Sequence, residues 1–561
     1  MTDRAVSRWR LAFAGIVAVG AAIATGELAA GLVPGIPSPL LSIGRQVVNL
    51  QPPGAKDFMA SLFGTADKLV LQIVIVAAAL LIGAVIGLLA TRRLELAGAV
   101  VAVFAATGFV ATFGDPDAVA VLAAAGAAAE ALVGMWILNR LVPNALGTSR
   151  EGVDGSEGAA QASRPRPSPA TPLSGVAAVK RAGAVEPKAI KAGSPSWRGG
   201  ARDAAGSMPS WSRRTLLQRG GAVAVGSIAA TAVGRVLLER QRTPTTAAAL
   251  PPPKSIPALP TGADLSIPGL TPIVVPNDKF YRIDTALIPP NVDVTTWKLK
   301  VTGMVDHAVE LTYDELVQLP IIEQYVTIAC VSNYVGGDLV GNTAWRGVPL
   351  RTVLSMAGVQ AGATQLVGRS VDGFTVGMPT AWVMDESRTP MIAIGMNGKP
   401  LPREHGYPAR LIVPGLYGYV SATKWLTELQ LTTLEAFDAY WVPLGWAKEA
   451  PILTQSRIDV PQSGANVKAG HVAVAGVAWA PDRGVTKVEV AIDGAWHDAR
   501  LSAPISPATW VQWLYDWDAT AGDHQIEVRA TDGAGVVQTA DHSAPAPDGA
   551  RGHHTIGVHV G

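Results

Sequence analysis

The chain has 561 residues, 49% of them hydrophobic and only 16% charged, against roughly 25% charged in an ordinary soluble domain. That length implies about three or four units, and a mean hydropathy of +0.28 places part of the protein in a bilayer. A formal net charge of +1 excludes a generally basic nucleic-acid binder, and a single cysteine excludes an internal disulfide, cysteine-rich zinc sites and cysteine-ligated iron–sulfur clusters.

Four apolar runs open the chain: Leu11–Val33, Leu69–Ala90, Leu94–Phe113 and Ala118–Leu138. Each is close to the ~20 residues that cross ~30 Å of hydrocarbon. Arg4, Arg8 and Arg10 precede the first run, Arg92 and Arg93 separate the second from the third, and Arg140 follows the fourth. Positive residues stay inside, so both ends of this membrane block (residues 1–142) are expected to face the cytoplasm. Glu27, Glu95 and Glu130 lie in or beside the runs, and the sequence offers no evident Lys or Arg partner for Glu27. Anchoring is the expected role of the block, with a proton path as the alternative.

Residues 143–212 are rich in Ala, Gly, Pro and Ser without apolar periodicity, which reads as a disordered cytoplasmic linker. Arg213 and Arg214 then precede the apolar run Gly220–Gly234. Residues 213–240 are expected to be either a twin-arginine-like signal anchor or a fifth span, and the run itself is short for a span. Both readings put the remaining half of the chain outside the cell membrane.

After the proline-rich stretch Pro251–Pro272, residues 250–438 mix short strand-like runs with helical ones such as Thr312–Gln318, which predicts an α+β domain. Residues 439–561 change texture from about Val460. "TKVEVAIDG" and "HQIEVRATDG" alternate apolar and polar positions and end at Asp-Gly turns, predicting an all-β sandwich of roughly seven strands. Trp510, Trp513 and Trp517 fit its core better than a binding cluster. His553 and His554, placed here at a frayed terminus, do not make a metal site without further ligands.

The chemistry centres on "YVTIACVSNYVGGDLVGNTAWRGVPL". Cys330 ends a strand-like run and opens a glycine-rich loop, where a thiolate can ligate a metal or attack an electrophile; a small buried packing residue is the alternative.

"ACVSN…GGDLVGNTAWRGVPL" followed by "MNGKPLPREHGYPARLIVPGLYGYVSATKWL" resembles the sulfite oxidase family of molybdenum enzymes. "WAPDRGVTKVEVAIDGAWHDARL" and "WLYDWDATAGDHQIEVRATDGAG" resemble that family's C-terminal immunoglobulin-like dimerisation domain. The likeness covers about residues 270–561 and implies a multidomain chain: an α-helical membrane block, an α+β sulfite oxidase-type molybdopterin domain, and an all-β immunoglobulin-like sandwich. It implies molybdenum with molybdopterin as cofactor and Cys330 as the protein's metal ligand. By the same likeness Asn333 steadies the cysteine loop. His405 and Arg410 hold the pterin phosphate or ring, and Gly418, Ser421, Thr423 and Lys424 wrap the cofactor. Arg282 and Arg483 match substrate-binding arginines, the latter from the sandwich. Tyr334 and Val335 replace the family's basic residue after the cysteine, and Asp284 stands where animal enzymes have a histidine. The resemblance therefore does not fix sulfite as the substrate.

The expected enzyme is a membrane-anchored oxidoreductase that transfers an oxygen atom to or from a small oxyanion, S-oxide or N-oxide, with a homodimer as one of the partner expectations. S-oxide or N-oxide reduction and a non-catalytic surface binding module are the alternatives. The chain has no C-x-x-C-H, and all nine histidines, from His307 to His559, lie in its second half. Electrons must therefore pass to an external cytochrome or quinone-linked partner.

Overall fold

The computed structural model describes residues 2–50, 67–90, 103, 106–112, 118–145, 213–241 and 250–561. The named helices of the N-terminal half are α1 (Thr2–Leu32), α2 (Pro39–Leu50), α3 (Asp67–Leu89), α4 (Ala120–Ala145) and α5 (Arg213–Gln241). Arg8–Leu32, Lys68–Leu89, Ala120–Leu141 and Arg214–Arg240 are each long and apolar enough to cross a membrane. The expected third run, with Arg92, Arg93 and Glu95, falls mostly outside the described residues, as does 146–212 of the expected linker.

Two local readings change. The run Gly220–Gly234 is the middle of one continuous helix that begins at Arg213 and ends at Gln241, so it is not short for a span. Its arginine-bearing ends prolong the apolar centre because long basic side chains can carry their charge to an interface. The helix α2 was not anticipated, although its start is written in the sequence. Ser38 Oγ accepts from Leu41 N at 3.3 Å, and Pro39 occupies the first helical position, where its missing N–H costs nothing.

The chain divides into two compact units. In the first (Met1–Ala21, Leu80–Val101, Val133–Gly226), α1 and α3 pack backbone to backbone: a Cβ on Gly15 would strike the Gly83 carbonyl oxygen, and one on Gly87 the Leu11 carbonyl oxygen. Gly83 and Gly87 are four apart, the small-xxx-small spacing that lets apolar helices approach closely.

In the second unit (Ala22–Ala79, Ala102–Leu132, Ser227–Gly561), Glu27 is fully buried and has a partner after all. Arg235 Nε of α5 lies 2.7 Å from its Oε2, while Ser38 Oγ donates to Oε1 at 2.6 Å and Leu40 N to the same oxygen at 3.2 Å. No periodicity within a helix could pair Glu27 with a residue so distant in sequence; only tertiary packing does.

The rest of this unit carries four sheets. The first comprises β1 (Lys298–Gly303), β2 (Val309–Thr312), β5 (Gln365–Ser370), β6 (Thr375–Pro379) and β10 (Leu426–Thr432), in the order β2-β1-β10-β5-β6 with β1 and β10 parallel. The second comprises β3 (Ile322–Ala329), β4 (Val340–Pro349), β7 (Met391–Met396) and β8 (Lys399–Pro400), with β9 (Arg410–Ile412) on the far edge of β7. Short helices connect them: α6 (Tyr313–Val317), α7 (Leu350–Ala357), α8 (Thr380–Met384) and α9 (Gly418–Ser421). The helix α6 begins at a reciprocal cap, Thr312 Oγ1 accepting from Glu315 N while Thr312 N donates to Glu315 Oε2.

The sandwich places β11 (Gln455–Val460), β13 (Gly470–Trp479), β16 (Arg500–Leu501) and β17 (Val511–Ala519) in one sheet, ordered β11-β13-β17-β16. The facing sheet holds β12 (Asn466–Val467), β14 (Val485–Ile492), β15 (Ala495–Asp498), β18 (Gly522–Asp532) and β19 (His554–Val560), ordered β12-β19-β18-β14-β15. Trp513 and Trp517 are core residues between them. The terminus is not frayed: β19 pairs with β18, and His553 is buried against Glu527 and the Gln538 carbonyl. Residues 439–452, expected in the sandwich, instead contribute Trp446, Ala450 and Ile452 to the α+β core.

Trp510 bolts the sandwich to the α+β domain. It is buried in that domain's core, its indole N–H donates to the Ile273 carbonyl at 2.9 Å, and its backbone N–H donates to Thr327 Oγ1 at 2.8 Å. Thr327 lies on β3, so the strand that ends at Cys330 is held from behind.

Candidate active site

The strand β3 is buried over its last four residues, apolar but for Thr327, and stops at Ala329. Cys330 follows, buried and outside any disulfide. Its N–H donates to the Leu339 carbonyl at 2.9 Å, and its own carbonyl accepts from Asn333 N at 3.1 Å. Asn333 Oδ1 then accepts from Leu339 N at 2.8 Å, which closes the loop on itself. The cysteine is thereby fixed at the end of a pinned strand, at the wall of a cleft.

That cleft includes Cys330, Tyr281, Asp284, Arg410, Gly418 and Lys424 in its lining. One wall is aromatic, with Phe374, Tyr419, Trp441 and Trp446 along it. Among the described residues, no three His, Cys, Asp or Glu side chains gather to hold a metal. A metal here would need donors from a cofactor besides the Cys330 sulfur.

The charged groups are buried and mutually dependent. Arg410 Nη1 donates to the His405 carbonyl at 3.0 Å, and its guanidinium lies 4.9 Å over the Trp345 ring. Burial pulls the Arg410 pKa down to about 10. Lys424 Nζ donates to Asp284 Oδ2 and to the Glu404 carbonyl, each at 3.0 Å. Burial lowers the Lys424 pKa to about 8 against the opposing pull of Asp284. For Asp284 the surrounding cations outweigh burial, and its carboxyl is held well below the usual carboxylate range. Burial, then Lys424 and Arg410, bring His405 down to about 3, so its ring is neutral near neutral pH.

His405 Nε2 lies 3.0 Å from the Asn277 carbonyl oxygen and must donate to it. The proton therefore sits on Nε2, leaving a lone pair on Nδ1. His405 Nδ1 and Arg410 Nε are buried polar atoms with no hydrogen-bond partner among the described residues. Such groups are costly unless something satisfies them. The open donor of Arg410, in the cleft that Cys330 also lines, and the open acceptor of neighbouring His405 fit a group that brings both polar ring edges and anionic oxygens.

Other sequence-predicted residues are placed differently. The Ser421 hydroxyl is already engaged with the Leu416 and Tyr417 carbonyls, at 3.1 and 2.9 Å, and fastens its own turn. Thr423 sits between the cleft residues Ala422 and Lys424, and its hydroxyl is turned against Gly368 of β5. Arg282 Nε lies 3.3 Å from Asp284 Oδ2, beside the lining residues Tyr281 and Ile283. Arg483 is not brought to the cleft. Its guanidinium is held by Asp532 Oδ2 at 2.8 Å, the Ile452 carbonyl at 2.9 Å and Thr454 Oγ1 at 3.2 Å. This carboxylate of its own sandwich outcompetes a more distant role. Tyr281 was missed: it is half-buried in the cleft wall and stacks on Phe280 with centroids 5.2 Å apart. Its place beside Arg282 in "FYRIDT" was the only available signal.

Residues 286–441 match the oxidoreductase molybdopterin binding domain, and residues 455–528 match a bacterial Ig domain. An uncharacterized oxidoreductase of Bacillus subtilis (strain 168), YuiH, is 33% identical over 167 residues, covering 30% of this chain and 80% of that protein. The chain belongs to the sulfite oxidase family of molybdopterin oxidoreductases. Human mitochondrial sulfite oxidase is 28% identical over 303 residues, 46% of this chain and 55% of that protein. NADH nitrate reductase 1 of Oryza sativa subsp. japonica is 27% identical over 308 residues, 43% of this chain and 33% of that protein. The chain thus spans about half the length of the animal sulfite oxidase it matches. The cofactor of this family is molybdenum with molybdopterin, and the donors in the cleft suit it.

Proposed function

We propose that the chain is a membrane-anchored oxidoreductase whose cleft lies on the outer side and transfers an oxygen atom to or from a small oxyanion, S-oxide or N-oxide. The observation that carries this reading is the fixed Cys330 sulfur in one cleft with Arg410 and Lys424, together with the open Nδ1 of His405, whose carbonyl Arg410 holds. When bound, molybdenum with molybdopterin supplies two-electron oxygen-atom-transfer chemistry.

The chain's own residues hold and orient. Cys330 gives the soft thiolate donor, kept in place by the Asn333 clasp. His405, neutral and protonated at Nε2, would offer the lone pair on Nδ1 to a donor of that group. Arg410 donates from Nε to an anionic oxygen, a charge-assisted bond stronger than a neutral one. Gly418 leaves room at the Cys330 end of the cleft: a Cβ there would meet protein atoms no closer than 3.6 Å, at the Ala329 carbonyl oxygen. Lys424 and Arg282 supply positive charge for an anionic substrate. Ser421 and Thr423 act through the backbone of the loop, and Arg483 acts at the domain junction.

The aromatic wall of Phe374, Tyr419, Trp441 and Trp446 excludes water from one side. Reducing equivalents pass to a separate carrier, a cytochrome or quinone-linked partner. Anchoring is supported by the four helices long enough to cross a membrane and by the arginine bias of the sequence. Full-length protein in detergent, assayed with sulfite plus a dye acceptor and with sulfoxides and N-oxides plus a dye donor, tests the reading. Turnover in either set supports oxygen-atom transfer; inertness to both panels in molybdenum-replete protein refutes it.

A further inference from the structure

The apolar helix α3 contributes a charge to the cleft. Lys68, in its first turn, is ion-paired with Asp284 and donates to the Ala286 carbonyl at 2.6 Å. Asp284 lines the cleft and is almost completely buried, its side chain 6% exposed. Its two oxygens are divided: Lys68 takes Oδ1, while Lys424, at 3.0 Å, and Arg282, at 3.3 Å, share Oδ2. The loop that bears Asp284 is also seated on the helices. Leu287 packs with Ala30, Leu41 and Leu238, and Tyr440 Oη donates to Asn49 Oδ1 of α2 at 2.8 Å.

A carboxylate inside an anion-binding cleft is a liability, because it repels the ligand and captures the cations meant for it. Here a third cation, delivered by α3, occupies one of its oxygens. We propose that Lys68 is a positioning residue of the cleft: by neutralising Asp284 it keeps the Lys424 ammonium available to an oxyanion, so the helix block sets the affinity of the site as well as anchoring it. This rests on the reading of the cleft as an oxyanion site. Loss of Lys68 leaves Asp284 to draw Lys424 and Arg282 onto both of its oxygens.

The charged groups facing Lys424 are Asp284, Arg410 and Lys68, with the neutral His405 ring beside them. Lys68 opposes protonation of Lys424, and Asp284 favours it. Lys68→Met therefore weakens oxyanion binding near neutral pH and moves the pH at which Lys424 loses its proton upward from about 8. A purely structural lysine would not move that pH.

The test is sulfate binding by calorimetry on the full chain in nanodiscs, in molybdenum-loaded and cofactor-free preparations. Bound molybdenum is measured in parallel to separate the cofactor phosphate from a free oxyanion. Lys68→Met is expected to weaken sulfate binding by on the order of tenfold, as interaction between like-placed charges in a partly buried site implies. Molybdenum content is expected to stay unchanged. The double variant Lys68→Met/Asp284→Asn is expected to recover most of the loss, and Lys68→Arg to retain wild-type binding should Lys68→Met fold poorly. Unchanged sulfate affinity in Lys68→Met, or no recovery in the double variant, overturns the proposal. So does loss of molybdenum in place of sulfate affinity. Because sulfate binding needs no turnover, an inactive but sulfate-binding protein would count against the oxygen-transfer reading and not against the role of Lys68.

Discussion

Replacing Gly418 by alanine separates the fold from the cofactor. Gly418 opens the short helix α9 and borders the cleft, and its backbone is helical rather than left-handed. A methyl group there would lie 3.6 Å from the Ala329 carbonyl oxygen and 3.8 Å from Ala422 Cβ, both ordinary contacts. The polypeptide therefore tolerates it, and exchanging glycine for alanine in a helix stabilises by roughly 0.5–1 kcal/mol. A group packed against the glycine meets an extra carbon instead, and overpacking of that kind costs typically 1–3 kcal/mol. On the binding scale that is about 5- to 150-fold. Cofactor-free Gly418→Ala should thus unfold at equal or higher denaturant than the parent, while molybdenum retained after prolonged dialysis should fall well below it. A cofactor-free variant less stable than the parent, or one that retains molybdenum normally, would refute the placement of the cofactor against this turn.

Further outcomes follow from the same geometry. Thr423→Val removes a buried hydroxyl that has no partner among the described residues and faces Gly368. It should leave molybdenum retention unchanged and raise the unfolding midpoint, by up to about 1–3 kcal/mol of stability; lost molybdenum would show that the hydroxyl serves the cofactor. Gly87→Val drives a side chain into the Leu11 carbonyl across the α1–α3 contact, so the intact helix block should melt earlier in detergent, and an unchanged melt would contradict that crossing. His405 is held neutral down to about 3, whereas an unfolded histidine titrates at 6.5. The unfolded chain therefore binds the extra proton first. The contribution of this residue is complete above 6.5 and is lost as pH falls towards about 3, so His405→Asn should flatten the acid limb of stability across that window. An unchanged acid limb would mean that the ring is not buried neutral.

Much of this was legible because it is local. The strand that ends at Cys330 shows as an apolar run meeting a glycine-rich loop. Likewise β14 and β18 show as alternating residues closed by Asp-Gly. The resemblance supplied His405 and Arg410; the fold puts Arg410 in the cleft wall and ties it to the His405 carbonyl. What escaped the sequence depends on chain segments far apart. Arg235 meets Glu27, and Lys68 meets Asp284, only because helices pack in a particular order. Residues 439–452 looked like the start of the sandwich because their tryptophans carry no period, and only the core shows where Trp446 belongs. Arg483 matched by position, yet a nearer carboxylate, Asp532, holds it at the junction.

The sulfur of Cys330 is the centre of the account. X-ray absorption at the molybdenum edge should be recorded on the purified full chain and on Cys330→Ser, with metal content measured on both. The account predicts near-stoichiometric molybdenum in the parent, with one more sulfur neighbour than in the variant. Equal sulfur coordination in the two proteins, or no molybdenum in a parent grown with ample molybdate, would contradict it.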